Sequence, residues 1–441
     1  MAAAVALPPM PAHAQGLPLI RDTEIEQLLR EYTQPILKAA GLQSQNIKVV
    51  LINDRSFNAF VADGKRIFVN TGALADSTTP NQIIGVLAHE SGHIAGGHLS
   101  KLRQELATVQ TAMLIGMLLG AAAMAVGGGG GGGAAQAGAA AISGAPQVAM
   151  RSLLSYQRAH EEAADRAAVK FLNTTNQSAK GMYETFKRFA DNSMFSSRLA
   201  DPYSQSHPMP TERVAALAEI ASTSPLWDKK DPPELQARHD MMRAKLSGFM
   251  ESPQTVARRY PLSDTSLPAR YARAIATYRH ADLRAAVSQI DALIAIQPNN
   301  AYFYELKGQA LLEGAKPAEA IAPLRRAAQM SHDPTLIQLL LGQALVATND
   351  PKHSEEAITI LRNALAREPD APQAYQQLAM AYGRKGELAE ADLASAQAAF
   401  LRGDNKTARD LASRAKARFP VGTPGWVKAD DIIAAKVANK N

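Results

Sequence analysis

His89-Glu90-Ser91-Gly92-His93 is the most informative stretch of this 441-residue sequence. Side chains four residues apart lie on one face of a helix, so His89 and His93 can direct imidazole nitrogens at one metal ion. Glu90 lies one residue further round, where its carboxylate can take a proton from water. Zinc held by such histidines makes water reactive at neutral pH, so the pattern predicts peptide hydrolysis. The alternative is that two histidines simply occupy a solvated helix face.

The residues before this motif predict the helix that carries it. Thr79-Pro80-Asn81-Gln82 places a capping Thr, a Pro at the first helical position and a Gln three residues after the cap. Residues 22 to 42 have apolar side chains at helical spacing. Asn46 to Ile52 and Ala59 to Val69 are rich in Val, Ile and Phe and predict strands, with a hairpin-type turn at Ala62-Asp63-Gly64.

Composition excludes several classes of site. The sequence has no cysteine, which rules out disulfides, thiol catalysis and Cys-ligated zinc, so a metal must be held by His and carboxylates. The net charge of +6 is modest for the length and lacks a concentrated Lys/Arg stripe. We therefore expect no nucleic-acid partner, although anionic surfaces remain compatible with this charge.

The N-terminus resembles the end of an export signal. Residues 1–14 are small and apolar, and Ala12-His13-Ala14 fits the pattern that signal peptidase cleaves. No Lys or Arg precedes this apolar part, so we interpret it as a signal-peptide remnant and question whether the N-terminus is complete. Export is the expectation.

Residues 106–150 contain no charged side chain and include seven consecutive glycines, Gly127 to Gly133. The sixteen residues from Thr111 to Val126 fall short of the roughly 20 that span a bilayer, and poly-Gly does not continue a helix. We interpret 106–150 as a flap or a hairpin that touches a membrane peripherally through 108–145. The alternative is a low-complexity insertion without lipid contact.

A third metal ligand is needed, because a catalytic zinc site has three protein ligands and one open position. The best candidates lie in His160-Glu161-Glu162-Ala163-Ala164-Asp165. Glu161 and Asp165 are four apart, so one carboxylate can bind the metal while the other orients a His ligand. Glu162 is the alternative ligand. His98, five residues beyond His93, is turned away from the metal face of a continuous helix and is expected at its surface or as a helper.

A repeat array follows a connecting helical arm at 226–263. Small residues recur at steps of 34, 37 and 34, which indicates tetratricopeptide repeats over 264–420, with a C-terminal tail at 421–441. The recurring positions are Ala286, Ala320, Ala357 and Ala391, with Leu293, Ala327, Ala364 and Ala398 seven residues later. Short side chains suit these positions because paired helices approach closely there.

With these motifs the chain resembles the gluzincin metallopeptidases that include the CaaX prenyl proteases and the heat-shock membrane protease. The resemblance implies that Glu161 is the third zinc ligand and that Asp165 is a proton donor or a partner of the ligands. Ser206-His207-Pro208 and Arg213 match a further family motif, whose His approaches the metal or the oxyanion and whose Arg supports substrate or transition state. Asn58-Ala59-Phe60 resembles the strand that holds substrate backbone in this family, so Asn58 and Ala59 are candidate substrate contacts.

These observations together predict a mainly α protein. A zincin-type α+β metalloprotease domain with a small sheet is expected over 15–225, followed by an all-α tetratricopeptide solenoid. The resemblance implies a periplasmic endopeptidase with one Zn²⁺ per chain that degrades misfolded or stalled envelope proteins. Its repeats would recruit protein substrates or the machinery that assembles outer-membrane β-barrels. The alternative is a chaperone or scaffold for outer-membrane protein assembly, with a largely latent protease domain.

Overall fold

The computed structural model describes residues 18–127, 133–195, 202–280 and 282–435. The predicted signal-peptide remnant at 1–14 lies outside these residues. The chain forms two compact units. The first comprises Met1–Arg21 and Leu28–His239, and the second comprises Asp22–Gln27 and Asp240–Asn441. The domain limits predicted at 225, 263 and 420 stay predictions.

A four-stranded sheet lies in the first unit in the order β1-β2-β4-β3. The strands are β1 Leu19–Ile20, β2 Lys48–Ile52, β3 Ala59–Val61 and β4 Arg66–Asn70. β2 and β4 are parallel, whereas β1 and β3 are antiparallel to their neighbours. The predicted turn at Ala62-Asp63-Gly64 joins β3 to β4. Asp63 Oδ1 accepts the amide hydrogens of Lys65 at 3.0 Å and Arg66 at 2.9 Å, and Gly64 takes the left-handed conformation that such a turn favours.

Nine helices begin in the part of the chain up to residue 239 that the structure describes. They are α1 Thr23–Ala39, α2 Thr71–Asp76, α3 Pro80–Ala95, α4 His98–Gly127, α5 Gly133–Thr174, α6 Lys180–Phe195, α7 Pro202–Ser206, α8 Thr211–Ser222 and α9 Pro233–Met250. α3 is the central helix: it packs against α5 and α6 and reaches β3 and β4. Helix, strand and turn positions thus agree with the predicted α+β arrangement.

The start of α3 follows the predicted signal with one difference. Pro80 is the first helical residue after Thr79. Gln82 reaches back past Thr79, and its Oε1 accepts the amide hydrogen of Thr78 at 2.7 Å. The chain entering α3 is therefore fixed by Gln82 through Thr78, and the Thr79 side chain makes no capping hydrogen bond within the described residues.

The uncharged segment 106–150 is helical on both sides of its glycine run. α4 and α5 pack against each other, and residues 128–132 between them lie outside the described part. Leu114 and Ile115 on α4 are exposed. Among the described helices, none is both long enough and apolar enough to cross a bilayer. The sequence composition did not predict helices of this length here, because the glycines dominate it.

The second unit is built from successive helices that pack on their neighbours in the chain. They are α10 Pro253–Arg259, α11 Leu267–His280, α12 Leu283–Ile296, α13 Ala301–Glu313, α14 Pro317–Met330, α15 Thr335–Ala347, α16 Ser354–Arg367, α17 Pro372–Arg384, α18 Leu388–Leu401, α19 Asn405–Arg418 and α20 Pro424–Ala434. α20 lies within the predicted tail and packs on α18 and α19. This is the all-α repeat region that the spacing predicted.

Small residues in the repeats lie where helices meet. Ala286, Ala320 and Ala357 are fully buried. A Cβ on Gly308 would come within 2.3 Å of Leu324 Cγ, so α13 and α14 can pack this closely only without a side chain there. The longer step of 37 is taken up by a short 3₁₀ turn at Pro351–His353.

Candidate metal centre

A glycine contact brings the two predicted motif helices together. At Gly92 of α3, a Cβ would lie 2.9 Å from the Ala164 carbonyl oxygen of α5, closer than a side chain normally allows. The absent side chain lets α5 approach α3 at the level of its histidines. Ala164 is fully buried at this contact, and Glu161 lies one turn before it on α5. The two motifs, 68 residues apart between His93 and Glu161, therefore share one site.

Four side chains gather donor atoms at this contact. His89, His93, Glu161 and His207 each offer one atom, and these atoms all lie within 4.8 Å of one another. His89 Nε2 is 3.0 Å from His93 Nε2 and 3.4 Å from His207 Nδ1. Glu161 lies 3.4 Å from His93 Nε2 through Oε1, and 3.4 Å from His89 Nε2 and 3.1 Å from His207 Nδ1 through Oε2.

These separations fit a metal ion. With zinc–ligand distances of about 2.0–2.2 Å, donors at the corners of a tetrahedron lie about 3.3–3.6 Å apart. The donor set of three imidazoles and one carboxylate is also one that divalent transition metals prefer. The cluster could therefore hold a metal ion. His89, Glu161 and His207 are buried, and His93 is nearly so, with 14% of its side chain exposed.

The pKa values of three of the donor side chains are shifted in different directions. Burial alone would raise the pKa of Glu161, but hydrogen bonds and charges from His207 and His89 hold it well below its ordinary value. Burial, together with the charge on His89, holds the pKa of His93 well below its usual range. Burial opposes a charge on His89, yet Asp165 and Glu161 raise its pKa to about 9. A metal at His89 must therefore displace a proton, as metal binding to histidine generally does.

Glu90 lies beside the same cluster without joining it. Its Oε1 lies 3.5 Å from His207 Nε2, and neither atom has a hydrogen-bond partner among the described residues. Burial raises the pKa of the Glu90 carboxyl, although the charges of His207 and His89 oppose the shift. Buried polar atoms without partners are costly, and their presence beside a donor cluster is typical of a functional site.

Asp165 and Arg213 contact the donor residues without belonging to the donor cluster. Asp165 Oδ1 is 2.9 Å from His89 Nδ1, the ring nitrogen that faces away from the other donors. Arg213, on α8, donates to Asp165 from Nε at 2.7 Å and from Nη2 at 2.9 Å. Its Nη1 is 2.8 Å from Glu161 Oε2 and donates to the Pro208 carbonyl at 2.9 Å. Arg213 is thus buried among the motif residues, where it joins α5 to the His207 segment.

His98 also belongs to the site, which helical geometry did not predict. Its Nδ1 lies 3.1 Å from His93 Nδ1, and its ring stacks on His160 with centroids 4.3 Å apart. α3 ends at Ala95, so His98 does not continue the helix that carries His93. Burial and the charges of His160 and Lys101 lower the pKa of His98 to about 4. Of the two predicted positions for His98, the helper position is the one observed.

A groove of about 450 Å³ opens beside the cluster. Its walls include Phe60 and Val61 of β3 as well as Glu90, His93 and His207. Of the two predicted substrate contacts, Ala59 begins the same strand and Asn58 precedes it, and neither lines the groove. Ala59 is fully buried opposite Val69, and Asn58 is half-buried with its carbonyl accepting the Asn70 amide hydrogen at 2.9 Å.

Comparison with known proteins agrees with this geometry. Residues 21–221 match the model of Peptidase family M48. The Beta-barrel assembly-enhancing protease of Yersinia pestis is 25% identical over 425 residues, which cover 94% of this chain and 84% of that protein. The protein of the same name from Escherichia coli (strain K12) is 24% identical over the same shares. The chain is therefore a metallopeptidase whose residues 21–221 are similar to Peptidase family M48.

Proposed function

We propose that this chain is a zinc-dependent endopeptidase whose metal is held by His89, His93 and Glu161. The observation that carries the proposal is the set of four donor side chains whose donor atoms lie within 4.8 Å of one another, with the Glu90 carboxylate 3.5 Å from the His207 ring. Zinc suits imidazole and carboxylate ligands in a hydrolase. When bound, it polarises a substrate carbonyl and lowers the pKa of water to about 7.

The surrounding residues have distinct roles in this proposal. Glu90 takes a proton from the attacking water and passes it to the leaving nitrogen, a role favoured by the raised pKa that burial gives its carboxyl. Asp165 holds the Nδ1 side of His89, which leaves Nε2 for the metal. Arg213 fixes Asp165 and Glu161 in place.

Metal content and one substitution test the proposal. Purified protein should contain one zinc ion per chain, and Glu90→Gln should keep that zinc while losing peptide hydrolysis by about 10²–10⁴-fold. Protein that binds no stoichiometric metal after reconstitution would overturn the proposal. So would full hydrolysis by Glu90→Gln, because Glu90 is the proposed general base.

The substrates and partners follow from the relatives. Proteins named Beta-barrel assembly-enhancing protease resemble this chain over nearly its whole length. We therefore propose that this protease acts in the periplasm on misfolded or stalled envelope and outer-membrane proteins. Its repeats would recruit these substrates or the barrel assembly machinery. The signal-like residues 1–14 are consistent with export.

A second candidate is supported by His207. A catalytic zinc site keeps one position open for water, but here His207 Nδ1 lies among the donors as a fourth potential ligand. A site closed in this way is latent, as expected for a chaperone or scaffold whose repeats carry the biological role. The full-length Glu90→Gln variant separates the candidates in cells. Complete rescue of a deletion strain by this variant would favour the scaffold, and failure to rescue would favour the protease.

We also propose that the hairpin of α4 and α5 contacts a membrane surface peripherally through 108–145. The support is the absence of charge from 106 to 150 and the exposure of Leu114 and Ile115. Flotation with liposomes should carry the intact protein upward and leave a variant without residues 108–145 at the bottom of the gradient. Equal behaviour of the two proteins would exclude the contact.

A further inference from the structure

We propose that His98 is a positioning residue for the metal ligand His93, which it holds by accepting a hydrogen bond on its own Nδ1. The inference rests on the proposed zinc site. Among the described residues, His98 Nδ1 is the hydrogen-bond partner found at His93 Nδ1, at 3.1 Å. His93 thus has one ring nitrogen toward the donor cluster and the other toward His98.

Two glycines, Gly96 and Gly97, precede His98 and allow its ring to reach His93. Gly97 has φ of +63°, a left-handed conformation that ends α3 and redirects the backbone before α4 begins. At Gly96 a Cβ would lie 2.1 Å from His98 Nε2, so a side chain at Gly96 would displace the imidazole. The two glycines together make space for the His98 ring beside α3.

Metal binding by His93 would determine which ring nitrogens of His93 and His98 carry hydrogen. A histidine that binds a metal through Nε2 carries its proton on Nδ1 and can only donate there. His93 therefore donates from Nδ1, and His98 must be the neutral tautomer that accepts on Nδ1 and carries hydrogen on Nε2. Such a bond fixes the plane of the His93 ring and raises its basicity as a ligand. At the other histidine of the motif, Asp165 Oδ1 lies 2.9 Å from His89 Nδ1.

The His98 ring is itself immobilised. It is buried and stacks nearly parallel on His160, with an angle of 17° between the rings. His160 in turn contacts Tyr156, with ring centroids 4.1 Å apart. Both His160 and Tyr156 belong to α5, the helix that supplies Glu161. The second His ligand is therefore held by the same helix that provides the carboxylate ligand.

Three substitutions test the inference through zinc affinity, measured by competition with a chromophoric chelator. His98→Phe keeps the ring and its stacking but removes the acceptor, and it should weaken zinc binding by about 10–100-fold. His98→Asn places an amide oxygen where Nδ1 was and should restore affinity to within a few-fold of wild type. His160→Phe keeps the stacking surface, does not touch the His93–His98 hydrogen bond, and should bind zinc as wild type does.

The metal-free forms provide the structural control. If His98 only filled space, His98→Phe would change the melting temperature of the metal-free protein and leave zinc affinity unchanged, which would overturn the inference. Equal weakening by His98→Phe and His98→Asn would also overturn it, because the acceptor would then be irrelevant. Absence of zinc binding in the wild-type protein would instead contradict the proposed zinc site, so the two failures are distinguishable.

Discussion

Arg213 holds Asp165 with two parallel hydrogen bonds, of 2.7 Å from Nε and 2.9 Å from Nη2, although the two residues lie 48 positions apart. Both side chains are buried. The pairing depresses the pKa of Asp165 against the opposing effect of burial. Since Asp165 also contacts His89, this ion pair connects the α8 segment to a proposed metal ligand.

Replacing Arg213 while keeping Asp165 should lower the free energy of unfolding. Arg213→Met leaves a buried carboxylate without its partner, and such losses typically cost about 3–5 kcal/mol. The double variant Asp165→Asn/Arg213→Met should be less destabilised than the sum of the single variants. Urea unfolding followed by Trp227 fluorescence, in a Trp426→Phe background, measures the first unit. Additive effects within about 0.5 kcal/mol would show that the two residues are not coupled.

Arg213→Lys tests whether the two parallel hydrogen bonds to Asp165 matter beyond the positive charge. A lysine keeps the charge but cannot reproduce two parallel bonds to one carboxylate. We therefore expect this variant to lose stability as well, by less than Arg213→Met. Wild-type stability in Arg213→Lys would mean that charge alone fixes Asp165.

Glu161 and Glu162 offer an internal comparison of adjacent residues. Glu161 is buried among the donors, whereas Glu162 is half-exposed and lies 3.6 Å from Arg166. Glu161→Gln should weaken zinc binding by more than the 10–100-fold typical of losing an outer partner, because it removes a direct ligand. Glu162→Gln should retain wild-type affinity and activity. The opposite result in zinc titration would assign the ligand to Glu162.

Local patterns were sufficient to predict part of this site. Pro80 marks the helix start, and the spacing of His89 and His93 places both on one face. Local spacing limited the third ligand to candidates in 160–165, and the family resemblance selected Glu161 among them. The contact depends on Gly92, which is an unremarkable residue in the sequence but leaves room for Ala164.

Other features depend on tertiary structure and could not be predicted locally. A helical wheel turns His98 away from the metal, but the wheel does not apply once Gly97 ends α3. The partner of Arg213 is set by the packing of α8 against α5. The composition of 106–150 predicted a flap or a hairpin but not its secondary structure, which consists of the long helices α4 and α5 packed against each other.

Glu305 should make the stability of the second unit depend on pH. Burial raises its pKa to about 7, with Lys245 opposing and Asp22 adding to the shift, while Thr23 donates to its Oε1 at 2.6 Å. The pKa of Glu305 is about 4.5 in the unfolded chain and about 7 in the folded state. Between these two pH values Glu305 is protonated in the folded state and ionised in the unfolded chain. Stability should therefore fall as pH rises through this window, by about 1.4 kcal/mol for each pKa unit.

The matched variant is Glu305→Gln, which cannot titrate. Its melting temperature, followed by Trp426 fluorescence in a Trp227→Phe background, should change less between pH 4.5 and 7.5 than that of the parent. Parallel pH profiles of the two proteins would show that Glu305 does not hold the proton.

His207 is the fourth potential donor, and its removal tests whether it closes the resting site. Three protein ligands remain in His207→Ala, so we expect one zinc ion per chain, bound more weakly than in wild type. If His207 closes the resting site, its removal should increase cleavage of an unstructured peptide, up to about tenfold where the open form makes up about 10% of the population. The variant His207→Ala/Glu90→Gln should be inactive, which assigns the added hydrolysis to this centre. A loss of cleavage in His207→Ala with zinc retained would instead mean that His207 acts in the reaction, as the family motif implies. The zinc titration and the peptide assay together distinguish these roles, because only a closing ligand weakens the metal while increasing turnover.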